Sequence, residues 1–179
     1  TLDLRGKRVA VIGTGASAIQ FVPPIAEEAA AVHLFQRTPP WVMPKPDRAF
    51  SEAARRRFKR WPAWQRLYRN YLYWQAEFTV LAFVYWPGLM RLVQPFIRRK
   101  IRRTVKDPEV AQALVPHYRM GCKRVLMSND YFAAFNRETV HLQTQGIAGL
   151  EAEGVRTQDG NLHPADVVIY ATGFRATEY

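Results

Sequence analysis

The stretch that decides the fold runs from Arg8 to Ala18 and reads RVAVIGTGASA. Four apolar residues lead into a turn with glycines at positions 13 and 15, and a helical pattern follows. Gly13 allows a tight turn, and Gly15 lets the backbone approach a pyrophosphate closely. Ala18 stands where a third glycine is common and is small enough for the helix to pack on the strand. The pattern predicts a dinucleotide site in which the helix N-terminus offers its unpaired N–H groups to phosphate.

A second apolar run over residues 32–35 ends on Gln36, Arg37 and Thr38. NAD-specific sites usually carry Asp or Glu at the end of this strand, where the carboxylate binds the ribose hydroxyls. Here Arg37 offers a forked cation for a phosphate dianion, and Thr38 adds a hydroxyl donor. The pattern therefore favours NADPH over NADH. A solvated surface arginine is the alternative interpretation of Arg37.

The composition is that of one ordinary domain, or of one domain that carries an insertion. The chain has 179 residues, of which 48% are hydrophobic, enough for a sizeable core. Its single cysteine, Cys122, excludes an internal disulfide and fits a reducing, cytoplasmic location. The four histidines lack metal-ligand spacing, so we expect no metal site. No signal peptide is visible, and the opening at Thr1 without Met suggests a fragment of a longer protein.

The net charge of +11 comes from one segment. Residues 51–106 contain 14 Lys/Arg against 2 Asp/Glu, whereas the rest of the chain contains 12 against 13. The same segment is rich in aromatic residues and predicts helices at 50–60, 63–85 and 88–105. Its most apolar run, Phe78 to Trp86, is too short to cross a bilayer. We favour a helical insertion that packs on another domain, with binding to nucleic acid or to a membrane surface as the alternative.

The chain after the insertion has the pattern of a compact α/β domain. A loop holds Gly121, Cys122, Lys123 and Arg124, and its two cations are candidates for contact with phosphate or with an anionic intermediate. Ser128, Asn129 and Asp130 then begin a helix, and capping alone would explain them. The remaining predicted elements are a helix at 110–114, strands at 125–127 and 139–143, a small β-meander over 149–162, and a fully buried strand over 165–170 that ends at Ala171, Thr172 and Gly173.

These elements predict an α/β fold, a Rossmann-like doubly wound parallel sheet with a helical insertion and a small β-meander. Residues 1–45 and 107–179 form the sheet domain, and residues 46–106 form the insertion. Strands at 8–12 and 32–36 are expected to be parallel neighbours, joined through a helix at 16–29.

Five motifs in order resemble the NADPH-binding domain of Baeyer–Villiger monooxygenases, which are class B flavin monooxygenases. The motifs cover nearly the whole chain and read GTGASAIQ from Gly13, FQRTPPW from Phe35, GCKR from Gly121, SNDY from Ser128 and ATGF from Ala171 to Phe174. The resemblance implies FAD and NADPH as cofactors. NADPH reduces the flavin, the reduced flavin takes up O2, and a ketone becomes an ester or lactone.

The resemblance also implies roles for individual residues. Arg37, Thr38 and Lys123 would hold the 2′-phosphate of NADP(H). Arg124 would be the catalytic residue, because its family counterpart stabilises the anionic oxygenated flavin and positions the nicotinamide. The residues implied to line the cofactor are Gly13, Thr14, Gly15, Ala16, Ser17, Ala18, Gln20, Ala171, Thr172 and Gly173.

The family fingerprint and the FAD-binding glycine motif are missing from this sequence. We therefore expect a chain that binds NADP(H), lacks the FAD domain and catalyses nothing alone. Its expected partners are that FAD domain, a small-molecule ketone and O2, with no nucleic acid and no transmembrane segment. Two enzyme alternatives stay open, an N- or S-oxidising relative and another FAD/NAD(P)-dependent reductase such as a pyridine nucleotide–disulfide reductase. The remaining alternative is a basic adaptor that binds nucleic acid or membrane through residues 51–106.

Overall fold

The computed structural model describes residues 2–47, 49–85, 88 and 90–173, without the side chains of residues 82–84. Trp86 and Phe174, both named above, lie outside the described residues. The helices are α1 (Ala18–Glu28), α2 (Glu52–Arg60), α3 (Pro62–Tyr85), α4 (Met90–Thr104), α5 (Pro108–Ala113) and α6 (Tyr131–Ala134). The strands are β1 (Arg8–Ile12), β2 (Ala31–Phe35), β3 (Val42–Met43), β4 (Leu126–Met127), β5 (Val140–Gln143), β6 (Ile147–Glu151), β7 (Gly154–Thr157), β8 (Leu162–Pro164) and β9 (Val167–Tyr170).

Four parallel strands form the main sheet, in the order β5-β2-β1-β9. Val9 of β1 pairs with Val32 of β2 on one side and with Val167 of β9 on the other. The chain therefore runs outward from β1 to β5, then returns across the sheet to place β9 on the opposite side of β1. This confirms the predicted parallel neighbours and puts the topological switch point, where ligands of such sheets bind, between β1 and β9.

The two faces of this sheet are covered by different structures. Alternation along the strands sends Val9 and Leu34 into a core shared with α1, α6 and part of α4. On the opposite face, Ala10 and Phe35 pack against Val155 of β7, which belongs to the antiparallel sheet β6-β7-β8. The predicted meander therefore exists and covers the face of the sheet that α1 leaves open.

The last strand of the sheet differs from its prediction. The apolar run over 165–170 predicts a fully buried strand, but the residues of β9 are half-buried and Tyr170 is 64% exposed. Because β9 is the edge of the described sheet, one of its sides has no neighbouring strand. Its start is fixed by Asp166, whose carboxylate accepts hydrogen bonds from the backbone N–H of Arg8 at 2.8 Å and from its guanidinium. These bonds hold the pKa of Asp166 well below its usual value.

Short elements account for the remaining differences. Helix α1 begins at Ala18 rather than at residue 16, because residues 15–17 form a turn that continues from the glycines. Strand β3 was not predicted, and it pairs in parallel with β4. Two-residue strands carry no usable periodicity, so their pairing depends on contacts that are distant in sequence.

The three predicted insertion helices are present as α2, α3 and α4. Phe50, Phe58 and Tyr68 form an aromatic cluster that joins α2 to α3, with ring centroids 5.3–5.9 Å apart. Among the residues that the structure describes, no helix combines the length and the apolar character needed to cross a membrane.

Three histidines meet between the main sheet and the meander. His33 of β2 stacks on His141 of β5 at 5.1 Å between ring centroids and lies 5.6 Å from His163 of β8. Burial, together with the charges of the two other imidazoles, lowers the pKa of His33 from 6.5 to about 4. No group of three or more His, Cys, Asp or Glu within the described ranges is arranged to hold a metal ion.

We expect His33 to make the stability of the domain depend on pH. Its folded pKa, about 4, lies below its unfolded value of 6.5, so the unfolded chain binds the extra proton first as the pH falls. The free energy of unfolding should therefore decrease from about pH 6.5 downward. Urea unfolding at pH 7.5 to 5 (about half-unit steps) measures this slope, which should flatten in His33→Gln. Exposed His117→Gln is the control. Equal slopes in the two variants would contradict the assignment.

Candidate dinucleotide-binding site

The glycine turn is held tightly at the carboxyl edge of the sheet, where it was predicted. Gly13 has φ +110°, and a Cβ on it would lie 2.7 Å from the carbonyl oxygen of Ala171. The N–H of Gly13 donates to the carbonyl of Phe35 at 3.0 Å, while the N–H of Ala171 donates to the carbonyl of Ile12 at 2.8 Å. The ends of β1, β2 and β9 therefore fix the turn together, and position 13 has room only for glycine.

The residues after Gly13 leave their backbone donors free. Within the part of the chain that the structure describes, the N–H groups of residues 14–17 donate to no backbone or side-chain acceptor. Gly15 is exposed, and the Ser17 side chain is exposed and makes no capping hydrogen bond to α1. Free N–H groups at the start of an eleven-residue helix form an anion-binding site, because they combine with the positive end of the helix dipole. The turn thus fits a bound phosphate or pyrophosphate.

The loop after β2 is attached to the same turn. The hydroxyl of Thr14 donates to the carbonyl oxygen of Thr38 at 3.2 Å. Gln36 is buried and anchors the loop, with its side-chain amide donating to the carbonyl of Ala113 at 2.9 Å. Between them, Arg37 is exposed and makes no ion pair with any described residue. Its side chain is therefore available to a ligand.

Trp41 connects this loop to the loop that carries Lys123 and Arg124. The Trp41 ring is fully buried, and its indole N–H donates to the carbonyl of Tyr118 at 3.0 Å. The N–H of Leu126 donates to the carbonyl of Trp41 at 2.8 Å, which continues into the pairing of β3 with β4. The Lys123 ammonium lies 5.0 Å from the centroid of the Tyr118 ring. One buried tryptophan thus positions both ends of the segment that presents the two cations.

Arg124 lies in a cleft of about 590 Å³ beside the first half of α1. Gln20 lines the same cleft and folds its amide back onto the carbonyl of Ala16 at 3.0 Å. On the facing wall, the backbone N–H and C=O of Lys45 exchange two 3.0 Å hydrogen bonds with the Asn129 side chain. The cleft therefore connects the predicted catalytic arginine to the helix that begins at the glycine turn.

The structure brings together two groups of the predicted residues. Residues 13–18, Thr38 and Ala171 meet around the turn, and Gln20 shares the cleft with Arg124. Thr172 and Gly173 are exposed directly after β9. The Ser128 hydroxyl accepts the N–H of Tyr131, the first residue of α6, at 3.2 Å, whereas the N-cap residue itself is Asp130, whose side chain makes no capping hydrogen bond.

Sequence reasoning missed two contributors to the cleft, Lys45 and Asn129. Asn129 lies inside the quoted SNDY motif, but nothing local indicates that its side chain binds the backbone of a residue 84 positions away. Lys45 is further tied to Asp47 by an ion pair of 2.7 Å.

The fold and the glycine turn are those of a Rossmann-like α/β domain, with an open glycine turn at the topological switch point of its sheet. No family model matches the chain. Curated relatives do match. The chain is 49% identical over 176 residues to a Baeyer–Villiger monooxygenase of Pseudomonas aeruginosa, and the alignment covers 98% of this chain and 33% of that protein. A Baeyer–Villiger monooxygenase of Streptomyces coelicolor is 40% identical over 176 residues, with 98% of this chain and 34% of that protein covered.

Solved structures agree with these relatives. A steroid monooxygenase bound to NADP superimposes with a TM-score of 0.80 at 28% identity, covering 97% of this chain and 40% of its own. The OTEMO complex with FAD and NADP superimposes with a TM-score of 0.77 at 31% identity, covering 96% of this chain and 38% of its own. The predicted resemblance is confirmed: the chain is a homologue of part of the Baeyer–Villiger monooxygenases, and it spans about a third of the length of the curated relatives it matches.

Replacing Gly13 by alanine should destabilise the fold more than the same change at another left-handed glycine. Both Gly13 and Gly160 have positive φ, but a Cβ on Gly160 meets nothing within 4 Å. Gly160→Ala should therefore cost only the backbone term, about 1–2 kcal/mol. Gly13→Ala adds the clash with Ala171, so its loss should exceed that of the control by at least about 1 kcal/mol. Denaturant unfolding measures both, and equal losses would contradict the proposed close approach.

Proposed function

We propose that this chain is the NADPH-binding part of an FAD-dependent Baeyer–Villiger monooxygenase that converts ketones to esters or lactones with O2. The observation that carries the proposal is the set of free N–H groups over residues 14–17, held at the carboxyl edge of the sheet. The NADP-bound structural neighbours support the nucleotide, and the names of the curated relatives support the reaction. We take residues 1–45 and 107–179 as the nucleotide domain and residues 46–106 as its insertion.

The turn would bind the pyrophosphate, and the cations beside it would select the phosphorylated ribose. Gly15 leaves the backbone open to the ligand, and the free N–H groups that follow it would donate to the oxygens of the pyrophosphate. Arg37 is unpaired within the described residues and can bind two phosphate oxygens at once. Lys123 adds a second positive charge from the loop that Trp41 holds. The residue type at the end of β2 decides between NADH and NADPH. Among the described residues at this position, Gln36, Arg37 and Thr38, none is a carboxylate.

Arg124 is proposed as the catalytic arginine. NADPH supplies the hydride and FAD the oxygen chemistry when both are bound. Arg124 lines the cleft beside Gln20, so its guanidinium would meet the nicotinamide end of a dinucleotide that begins at the turn. A positive charge at that place would also favour an anion that develops in the reaction.

The partners that complete the reaction are proposed by analogy with the relatives. They are an FAD-binding domain of the same protein, a small-molecule ketone and O2, in the cytoplasm. Oxidation of nitrogen or sulfur is the second candidate reaction, and product analysis with a ketone and with a thioether separates the two. The comparisons favour the monooxygenases over the disulfide reductases and over a basic adaptor without enzymatic function.

The preference for NADPH over NADH should depend on Arg37. A charge-assisted contact to phosphate contributes about 1.5–3 kcal/mol, which corresponds to about ten- to a hundredfold in affinity. Titration calorimetry of the chain should show that Arg37→Ala loses this factor for NADPH and keeps its affinity for NADH. Arg99→Ala, an exposed arginine of α4, is the matched control. Unchanged discrimination in Arg37→Ala would overturn the assignment.

In the intact protein, Arg124→Ala should keep NADPH oxidation but lose oxygenation of the ketone. Loss of one preorganised charge costs about 10²–10³ in the rate of the step that it stabilises. We expect hydrogen peroxide in place of ester, which is measured by peroxide assay and gas chromatography against NADPH consumed. Arg119→Ala, exposed in the same loop, should stay coupled. Ester formation at the wild-type rate in Arg124→Ala would refute the catalytic role.

A further inference from the structure

A side chain continues the pairing between β3 and β4 where the backbone pairing stops. Directly after β4, the N–H of Ser128 donates to the carbonyl of Met43 at 3.0 Å. The next residue on the same edge is Lys45, because the groups that face one edge of an extended strand recur every second residue. The N–H of Lys45 donates to Oδ1 of Asn129, and its carbonyl accepts from Nδ2 of Asn129, both at 3.0 Å.

The backbone does not make these two bonds because it turns into α6 at this point. The hydroxyl oxygen of Ser128 accepts the N–H groups of Asp130 at 3.3 Å and of Tyr131 at 3.2 Å, and α6 begins at Tyr131. An amide side chain carries the same carbonyl acceptor and N–H donor as a peptide group, and asparagine is the shorter of the two residues that have one. Asn129 therefore takes the place of strand backbone for one further residue.

These two bonds fix a wall of the cleft. Lys45, Asp47 and Asn129 all line the cleft that Arg124 also lines. The Lys45 ammonium pairs with Asp47 at 2.7 Å, so both residues depend on the same attachment. Strand β4 lies between Arg124 and Asn129 in the sequence. The Asn129 side chain thus ties the Lys45 wall to the segment that carries the arginine, at the point where the chain leaves the sheet domain for α2.

The far end of the insertion is attached in the same way, but away from the cleft. Nδ2 of Asn136 donates to the carbonyl of Thr104, the last residue of α4, and Oδ1 accepts the N–H of Lys106, both at 2.8 Å. Asn136 lies two residues after α6, as Asn129 lies two residues before it. The structure describes Asn136, Thr104 and Lys106, and none of the three lines the cleft. Two asparagines thus make the same pair of bonds, and one of them lies at the cleft.

We propose that Asn129 is a positioning residue, which holds the Lys45 wall in place and so sets the width of the cleft beside Arg124. This inference rests on the proposed NADPH-binding function. The phosphates would be bound at the glycine turn and by Arg37, so loss of Asn129 should preserve most of the affinity and misplace the nicotinamide end. A misplacement of about 1 Å can slow a reaction by about a hundredfold.

Hydrogen exchange of the intact protein tests the two attachments directly. Asn129→Ala removes both partners of the Lys45 backbone, so the peptide that contains Lys45 should exchange faster. Asn136→Ala should have the same effect on the peptide that contains Lys106. NADP⁺ should slow exchange at Lys45 in the wild type and in Asn136→Ala, and should not do so in Asn129→Ala, where the wall is no longer held against the nucleotide.

Reduction of the flavin by NADPH in the intact protein, followed by stopped flow, separates affinity from positioning. In Asn129→Ala the rate at saturating NADPH should fall by about tenfold or more, while the Kd for NADPH changes by less than about threefold. Asn129→Asp keeps the size and the acceptor but loses the donor, so it should behave as the alanine variant does. Asn136→Ala should keep both values. Its unfolding midpoint in urea should fall at least as far as that of Asn129→Ala, because its loss leaves the partly buried carbonyl of Thr104 without a partner.

Three results would overturn the positioning role while leaving the proposed function intact. The first is a wild-type rate of flavin reduction in Asn129→Ala, and the second is unchanged exchange at Lys45 in that variant. The third is an equal loss of rate in Asn129→Ala and Asn136→Ala, because general destabilisation would then explain both. A wild-type protein that does not bind NADPH would instead overturn the proposed function, and the role of Asn129 with it.

Discussion

The arrangement of this protein depends on the contact between Gly13 and the carbonyl group of Ala171. The contact joins the end of β1 to the end of β9, the two parallel strands between which the strand order reverses. Because Gly13 has no side chain, the backbone can turn sharply there and lead into α1, with the N–H groups of residues 14–17 unoccupied just before the helix. Everything that the site offers to an anion follows from that geometry.

The rest of the structure positions functional groups around this fixed turn. On one face, α1 and α6 bury the sheet, and on the other the meander closes over His33 and its two neighbours. Trp41 positions the loop with Lys123 and Arg124, because its indole N–H binds the backbone before the loop and its carbonyl binds the backbone after it. The insertion lies between these parts in the sequence, and its helix α3 packs mainly against α2, which also belongs to the insertion.

The sequence predicts the parts of the fold that local physics controls. Glycine spacing, an apolar run and a helix signal are all local, so the strand–turn–helix at residues 8–28 was predicted, and so were the three insertion helices. The pairing of β3 with β4 and the binding of Asn129 to Lys45 depend on contacts across more than 80 residues, which no local pattern encodes. The half-burial of β9 was missed because an apolar run does not reveal whether its strand has one neighbour or two.

The site was predicted to a similar extent and for similar reasons. The turn residues follow from the need for small side chains near a phosphate, and Thr38 meets them through the hydroxyl of Thr14. The roles of Arg37, Lys123 and Arg124 rest on charge and on resemblance to the monooxygenases, and they stay predictions. All three residues are exposed, so each is available to a ligand.

The most direct measurement is the backbone amide NMR spectrum of the chain titrated with NADP⁺. Free N–H groups at residues 14–17 that bind pyrophosphate should show the largest downfield proton shifts in the spectrum, because a charged acceptor replaces water. The amides of α3 should not move. Shifts confined to the insertion, or no shift at Gly15, Ala16 and Ser17 under saturating nucleotide, would contradict the account.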